Sequence, residues 1–167
     1  NPNYATGHHW LGMHLAQEGR MDEALAELKL ASELDPLSFI ILDNYGWLLN
    51  LAGRQHEALR YLDRALALNP GYDQTMRVKA SVLAALGRTS EARALAKQVS
   101  SGVRVLDVFM LADVGLLPEA KALLASLEPR SVRSSLIPQL AVGRSEDALN
   151  SLSDISGASY GEEIEVN

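Results

Sequence analysis

The 167-residue chain contains no cysteine. This excludes disulfide staples, a thiolate metal site and a cysteine nucleophile, and it leaves the redox compartment open. Aromatic residues are scarce, at 5%, although 47% of the chain is hydrophobic. Leu and Ala carry that apolar content, and because both favour helices, close-packed helices are expected rather than strands. Positive charge is also short: 15 Lys and Arg face 21 Asp and Glu, for a net charge of −6. Gripping a phosphate backbone requires a basic face, so no direct nucleic-acid contact is expected from this segment. No apolar run approaches the ~18 residues of a membrane span, and no signal-peptide pattern opens the chain. No membrane segment is therefore expected, and the expected location is cytoplasmic, with the periplasm as the alternative.

What the chain does have is one phrase said five times. It reads Gly-Arg-Met-Asp-Glu-Ala at 19–24, Gly-Arg-Gln-His-Glu-Ala at 53–58 and Gly-Arg-Thr-Ser-Glu-Ala at 87–92. It returns as Gly-Leu-Leu-Pro-Glu-Ala at 115–120 and Gly-Arg-Ser-Glu-Asp-Ala at 143–148. The glycines are 34, 34, 28 and 28 residues apart, and a fixed period in this range marks a repeat architecture. Each phrase reads as a helix stop followed by a helix start. Gly supplies the left-handed residue that ends one helix, and the acidic residue before Ala lies in the first turn of the next, where the helix dipole favours it.

Pro2, Pro36 and Pro70 keep the same 34-residue phase, each ending a unit because proline cannot continue a helix. Pro2 then closes a unit whose body precedes Asn1, and at least one further repeat is expected upstream in the parent protein. Within the units, helices are predicted over 4–17, 21–34, 38–51 and 56–68. Ala24, Leu28 and Ala31 recur as Ala58, Leu62 and Ala65, one apolar face at helical period. Gly12 and Gly46 sit in mid-helix at the same phase. Each costs about 1 kcal/mol relative to Ala, and a cost repeated in phase points to close approach of the paired helices opposite Ala24 and Ala58.

Small residues at the eighth, twentieth and twenty-seventh places of a 34-residue unit, with Pro at the thirty-second, are Gly12, Ala24, Ala31 and Pro36, then Gly46, Ala58, Ala65 and Pro70. On these residues the chain resembles the tetratricopeptide repeat family. The resemblance implies an all-α fold, a right-handed α-α superhelix of about ten antiparallel helices. Three regular repeats would occupy 1–100, two shorter degenerate ones 101–156, and an acidic tail 157–167. In the degenerate part, helices are predicted near 103–114, 118–127, 131–142 and 145–155. The family's usual Trp at the fourth place is missing, with His8, Leu42 and Met76 standing there.

The same resemblance implies a non-catalytic scaffold that binds a peptide or protein partner in a concave groove lined by the first helix of each pair. Carrying over the family's contact places gives a peptide-binding set of His9, Met13, Asp43, Asn44, Trp47, Asn50, Arg77 and Ser81. Trp47 is the expected anchor, since Trp concentrates binding energy. On that reading its truncation spares the melting temperature, whereas a packing role would make it matter for stability alone. Arg77 is expected either to pair with a partner carboxylate or to bridge to Asp43. Of the carboxylate-clamp residues in chaperone-binding members only Asn44 matches, so that clamp is not expected.

No catalytic residue, metal site or cofactor is expected. No phosphate loop, zinc helix or calcium loop appears, and His8, His9 and His14 do not share a helix face. The stretches 1–12 and 33–38 are also similar to repeat regions behind winged-helix domains of bacterial transcription regulators. That likeness implies the alternative of a sensing or dimerisation module whose DNA-binding domain lies upstream. Self-association through the repeat ends or the tail is a further expectation.

Overall fold

A computed structural model describes residues 4–99 and 105–125, and they form eight helices with no strand among them. α1 (Ala5–Gln17) and α2 (Met21–Leu34) make the first pair, α3 (Phe39–Leu51) and α4 (Gln55–Leu68) the second. α5 (Asp73–Ala85) and α6 (Thr89–Ala96) make the third, α7 (Val105–Asp113) and α8 (Leu117–Ala125) the fourth. Consecutive helices from α1 to α6 pack antiparallel, as do α7 and α8, and the fourth pair meets the third through α7 on α5. The helices predicted near 131–142 and 145–155, and the tail, lie outside the described residues, so ten helices are not shown.

The recurring phrase works as expected and does more. Gly19, Gly53, Gly87 and Gly115 all have φ between 76° and 78°, a conformation that costs any L side chain about 1–2 kcal/mol. In the first unit Gly19 N–H bonds to Ala16 O at 3.1 Å and Arg20 N–H to Leu15 O at 2.9 Å, a Schellman closure. The carbonyl of the same Arg20 then accepts from Ala24 N–H and starts α2. Its guanidinium forks onto Glu23 with bonds of 2.7 and 2.6 Å. Arg54 forks onto Glu57 and Arg88 onto Glu91 in the same way. The fork holds each carboxyl below its ordinary range. One residue thus ends one helix, begins the next and clamps its first turn.

The fourth phrase has Leu116 in place of arginine. There Arg93 of α6 reaches across instead, donating to Val114 O at 2.8 Å and Gly115 O at 3.3 Å, and so caps the end of α7. The third and fourth pairs share a core of Ala80, Leu83, Ala92, Ala96, Met110 and Val114.

The first two pairs and α5 share the larger core. Ala24, Leu28, Tyr45, Leu48, Leu49, Ala58, Leu62, Val78 and Val82 belong to it. The mid-helix glycines are where the paired helices touch. A Cβ on Gly12 would lie 3.0 Å from both Ala24 O and Leu28 Cγ, and one on Gly46 would lie 2.8 Å from Leu62 Cδ2. A larger residue at either place would press on this contact, and this accounts for the repeated propensity cost.

Candidate functional site: the inner helix row

α1, α3, α5 and α7 lie against one another in succession. Among the described residues the even-numbered helices pack on the odd-numbered ones and make at most marginal contact with each other. Helices that converge in this way line the inner side of a curved stack. The expected contact residues sit on these inner helices in rows 34 positions apart, and each row behaves differently.

One row consists of His9, Asp43 and Arg77, all 5% exposed or less. Each reaches forward to the next inner helix. Asn44 Nδ2 donates to His9 Nε2 at 2.7 Å, joining α3 to α1. Thr75 Oγ1 donates to Asp43 Oδ1 at 2.7 Å, joining α5 to α3. Arg77 Nε donates to Asp107 Oδ1, joining α5 to α7, with both side chains buried. The other oxygen of Asp107, Oδ2, is buried with no hydrogen-bond partner, so Oδ1 carries the pairing. The row is a polar ladder along the stack. Buried polar groups are costly unless bonded, and each rung fixes the register of one repeat on the next.

Burial also sets the protonation of the rungs. His9 is pushed below its ordinary pKa by desolvation, and because the Asn44 amide nitrogen can only donate, Nε2 is the bare ring nitrogen. Burial pushes Asp43 up to about 6, against the opposing pull of the Thr75 hydrogen bond.

A second row, Met13, Trp47 and Ser81, is half-buried. Met13 and Trp47 pack their inner sides against the large core and keep their outer sides accessible. Asn44 is half-buried beside its histidine, and Asn50 is buried. Of the eight expected contact residues, the structure therefore leaves surface on Met13, Asn44, Trp47 and Ser81 and buries His9, Asp43, Asn50 and Arg77. Arg77 does not bridge to Asp43, because Asp107 holds it and Thr75 occupies Asp43. Trp47 is both core and surface, so its truncation is expected to open a cavity and lower the melting temperature.

Sequence reasoning missed Thr75 and Asp107 as partners. The available signal was a polar residue on the next inner helix about 30 to 35 places on from each buried polar residue, which no motif flags. Of the expected set, the accessible residues Met13, Asn44, Trp47 and Ser81 carry no formal charge, while Asp113 stands exposed in the last turn of α7 at the place that Gln17 holds in α1. Ile40, Gln74 and Gln17 lie beside Met13, Asn44, Trp47 and Ser81, and Trp10, 34 places before Asn44, stands exposed. Among the described residues no three His, Asp or Glu side chains gather as metal ligands would.

A stack of helix pairs whose first helices form one inner row defines a helical-repeat protein. Two tetratricopeptide repeat models match, one over residues 5–36 and one over 49–102, and the chain belongs to the tetratricopeptide repeat family. Solved structures share the fold. MamA from Desulfovibrio magneticus RS-1 (residues 41 to the end) is 18% identical with a TM-score of 0.62, covering 92% of this chain and 93% of that one. MamA of MSR-1 is 17% identical with a TM-score of 0.57, covering 92% and 97%. A point mutant of MamA is 20% identical at the same TM-score, covering 92% and 96%. At these identities the likeness concerns the fold alone. No curated protein matches the chain.

Proposed function

We propose that this chain is a non-catalytic protein-interaction scaffold that holds a peptide or partner surface against its inner helix row. The observation that carries this reading is the division of labour between rows. His9, Asp43 and Arg77 are buried in the ladder, while Met13 and Trp47 stand half-exposed against the core. A large aromatic beside an adaptable thioether, both backed by core, suits a hot spot for an apolar segment. Because Met13, Asn44, Trp47 and Ser81 carry no charge, the partner is recognised there by apolar contact and neutral hydrogen bonds. Carboxylate or phosphate capture has no counterpart there.

The test is quantitative capture by wild-type and Trp47→Phe protein at low and high salt. Trp47→Phe keeps a ring on the core and loses the outer part of the indole. The reading expects about a tenfold loss of captured partner for that variant, about 1.4 kcal/mol, with less than about a twofold change between 0.05 M and 0.5 M salt. Capture that collapses with salt, or is indifferent to Trp47→Phe, sinks it.

A further inference from the structure

We propose that Met13 is a sulfoxidation site, through which peroxide turns the inner face of the first two units from apolar to polar. The chain has no cysteine, so its four methionines hold its only sulfur atoms. Oxidation of a thioether requires access to the sulfur. Met76 and Met110 are 8% and 3% exposed and lie inside the fold. Met13 and Met21 are half-buried, which leaves two candidates. Met21 opens α2, an outer helix, and its place is taken by the polar Gln55 and Thr89 in the next two units. Met13 lies on α1 in the inner row and packs its inner side on the same core cluster as Trp47. The opening at Met13 belongs to the inner face rather than to one end of the stack. Trp47 and Ser81 hold the same place in the second and third units, each with a preceding unit packed against it, and both remain half-buried.

The sulfur lone pair takes one oxygen of hydrogen peroxide and the O–O bond breaks. The displaced hydroxide collects that oxygen's proton and leaves as water. Sulfur is oxidised by two electrons and peroxide is reduced by two. The product sulfoxide is polar and accepts hydrogen bonds. It cannot stay on the apolar core surface without losing its water, so it turns outward or draws water in beneath it. Methionine sulfoxide reductase reverses the step, with two thiols becoming a disulfide and the oxygen leaving as water. On the groove reading proposed above, the sulfoxide state releases an apolar partner. The site itself does not depend on that reading.

Trypsin places each methionine on its own peptide, 1–20, 21–29, 65–77 and 105–121, so mass spectrometry after graded hydrogen peroxide follows each sulfur separately. Met13 and Met21 should gain oxygen at least about tenfold faster than Met76 and Met110. In Trp10→Phe protein Trp47 is the sole indole. Its emission should move to the red as Met13 oxidises, while Met76 and Met110 stay reduced, and should return with methionine sulfoxide reductase. Met13→Leu keeps the volume without the sulfur and should abolish the shift, whereas Met21→Leu should leave it in place. Oxidation of Met13 no faster than that of Met76 and Met110 overturns the proposal. So does Trp47 emission that is unmoved with Met13 fully converted, or a shift that survives Met13→Leu or disappears with Met21→Leu. No partner enters these measurements, so their failure is distinct from indifference of partner capture to Trp47→Phe.

Discussion

Thr75 Oγ1 on α5 donates a 2.7 Å hydrogen bond to Oδ1 of Asp43 on α3, and both side chains are out of water. The bond favours the carboxylate and burial opposes it. Burial wins, and Asp43 is pushed up to about 6 from 3.8. Between those two values the folded chain binds more proton than the unfolded one. Stability contributed by the protonated form is complete below about pH 4 and is lost as pH rises through 6. Asp43→Asn keeps an oxygen for Thr75 and removes the charge. It should raise unfolding free energy at pH 7.5 by about 1–3 kcal/mol, and the gain should vanish at pH 4. Urea titrations at the two values read it, and an equal gain at both would refute the assignment.

His9 runs the other way. Its folded pKa is lowered by burial, so its contribution is present above the unfolded value of about 6.5 and falls away as pH drops through the lowered one. His9→Gln should accept from Asn44 with no proton to gain. The wild-type minus variant difference in melting temperature, followed from pH 7.5 to 5, should shrink on acidification. A constant difference would mean that His9 stays neutral for another reason.

The Arg77–Asp107 pair joins the third unit to the fourth from within the protein. Arg77→Met leaves a buried carboxylate without its cation and should cost about 3–5 kcal/mol. Adding Asp107→Leu should recover most of that loss, because a buried pair replaced as a whole by apolar side chains is close to neutral. A double-mutant cycle by chemical denaturation measures the recovery, and simple additivity would show that the two residues act independently.

Gly46 and Gly53 are seven residues apart and should respond differently to alanine. At Gly46 a Cβ would press on Leu62 at 2.8 Å, and Leu62 is fully buried. Overpacking of about 1–3 kcal/mol should outweigh the ~1 kcal/mol gained in helix propensity, with a net loss. At Gly53 a Cβ meets nothing within 4 Å, but φ is +76°. Only the backbone cost of about 1–2 kcal/mol applies there. A Gly46→Leu variant should be worse than Gly46→Ala, whereas Gly53→Leu should resemble Gly53→Ala. Thermal melts of the four variants decide it.

The pairing of helices was legible because it is local. A left-handed glycine, an arginine and a glutamate three places on are set by neighbouring backbone, and the 34-residue period repeats them. Predicted helices at 21–34 and 4–17 agree with the observed ones to within a residue. The tight contacts at Gly12 and Gly46 were legible for the same reason, since a propensity cost that recurs in phase has a packing cause. The inner row was legible only as a set of places. Nothing in the sequence distinguishes a position-five residue that faces solvent from one that is bonded to the next repeat.

The sequence by itself determined the helix pairs, their hinges, their apolar faces and an acidic chain without cysteine. These follow from period, backbone conformation and composition. Only the tertiary structure decided that His9, Asp43 and Arg77 turn away from a groove and into a ladder. The partners Asn44, Thr75 and Asp107 lie 35, 32 and 30 residues away, and a buried polar group takes whichever partner the stacked repeats bring within 3 Å. The stacking also divided Trp47 between core and surface.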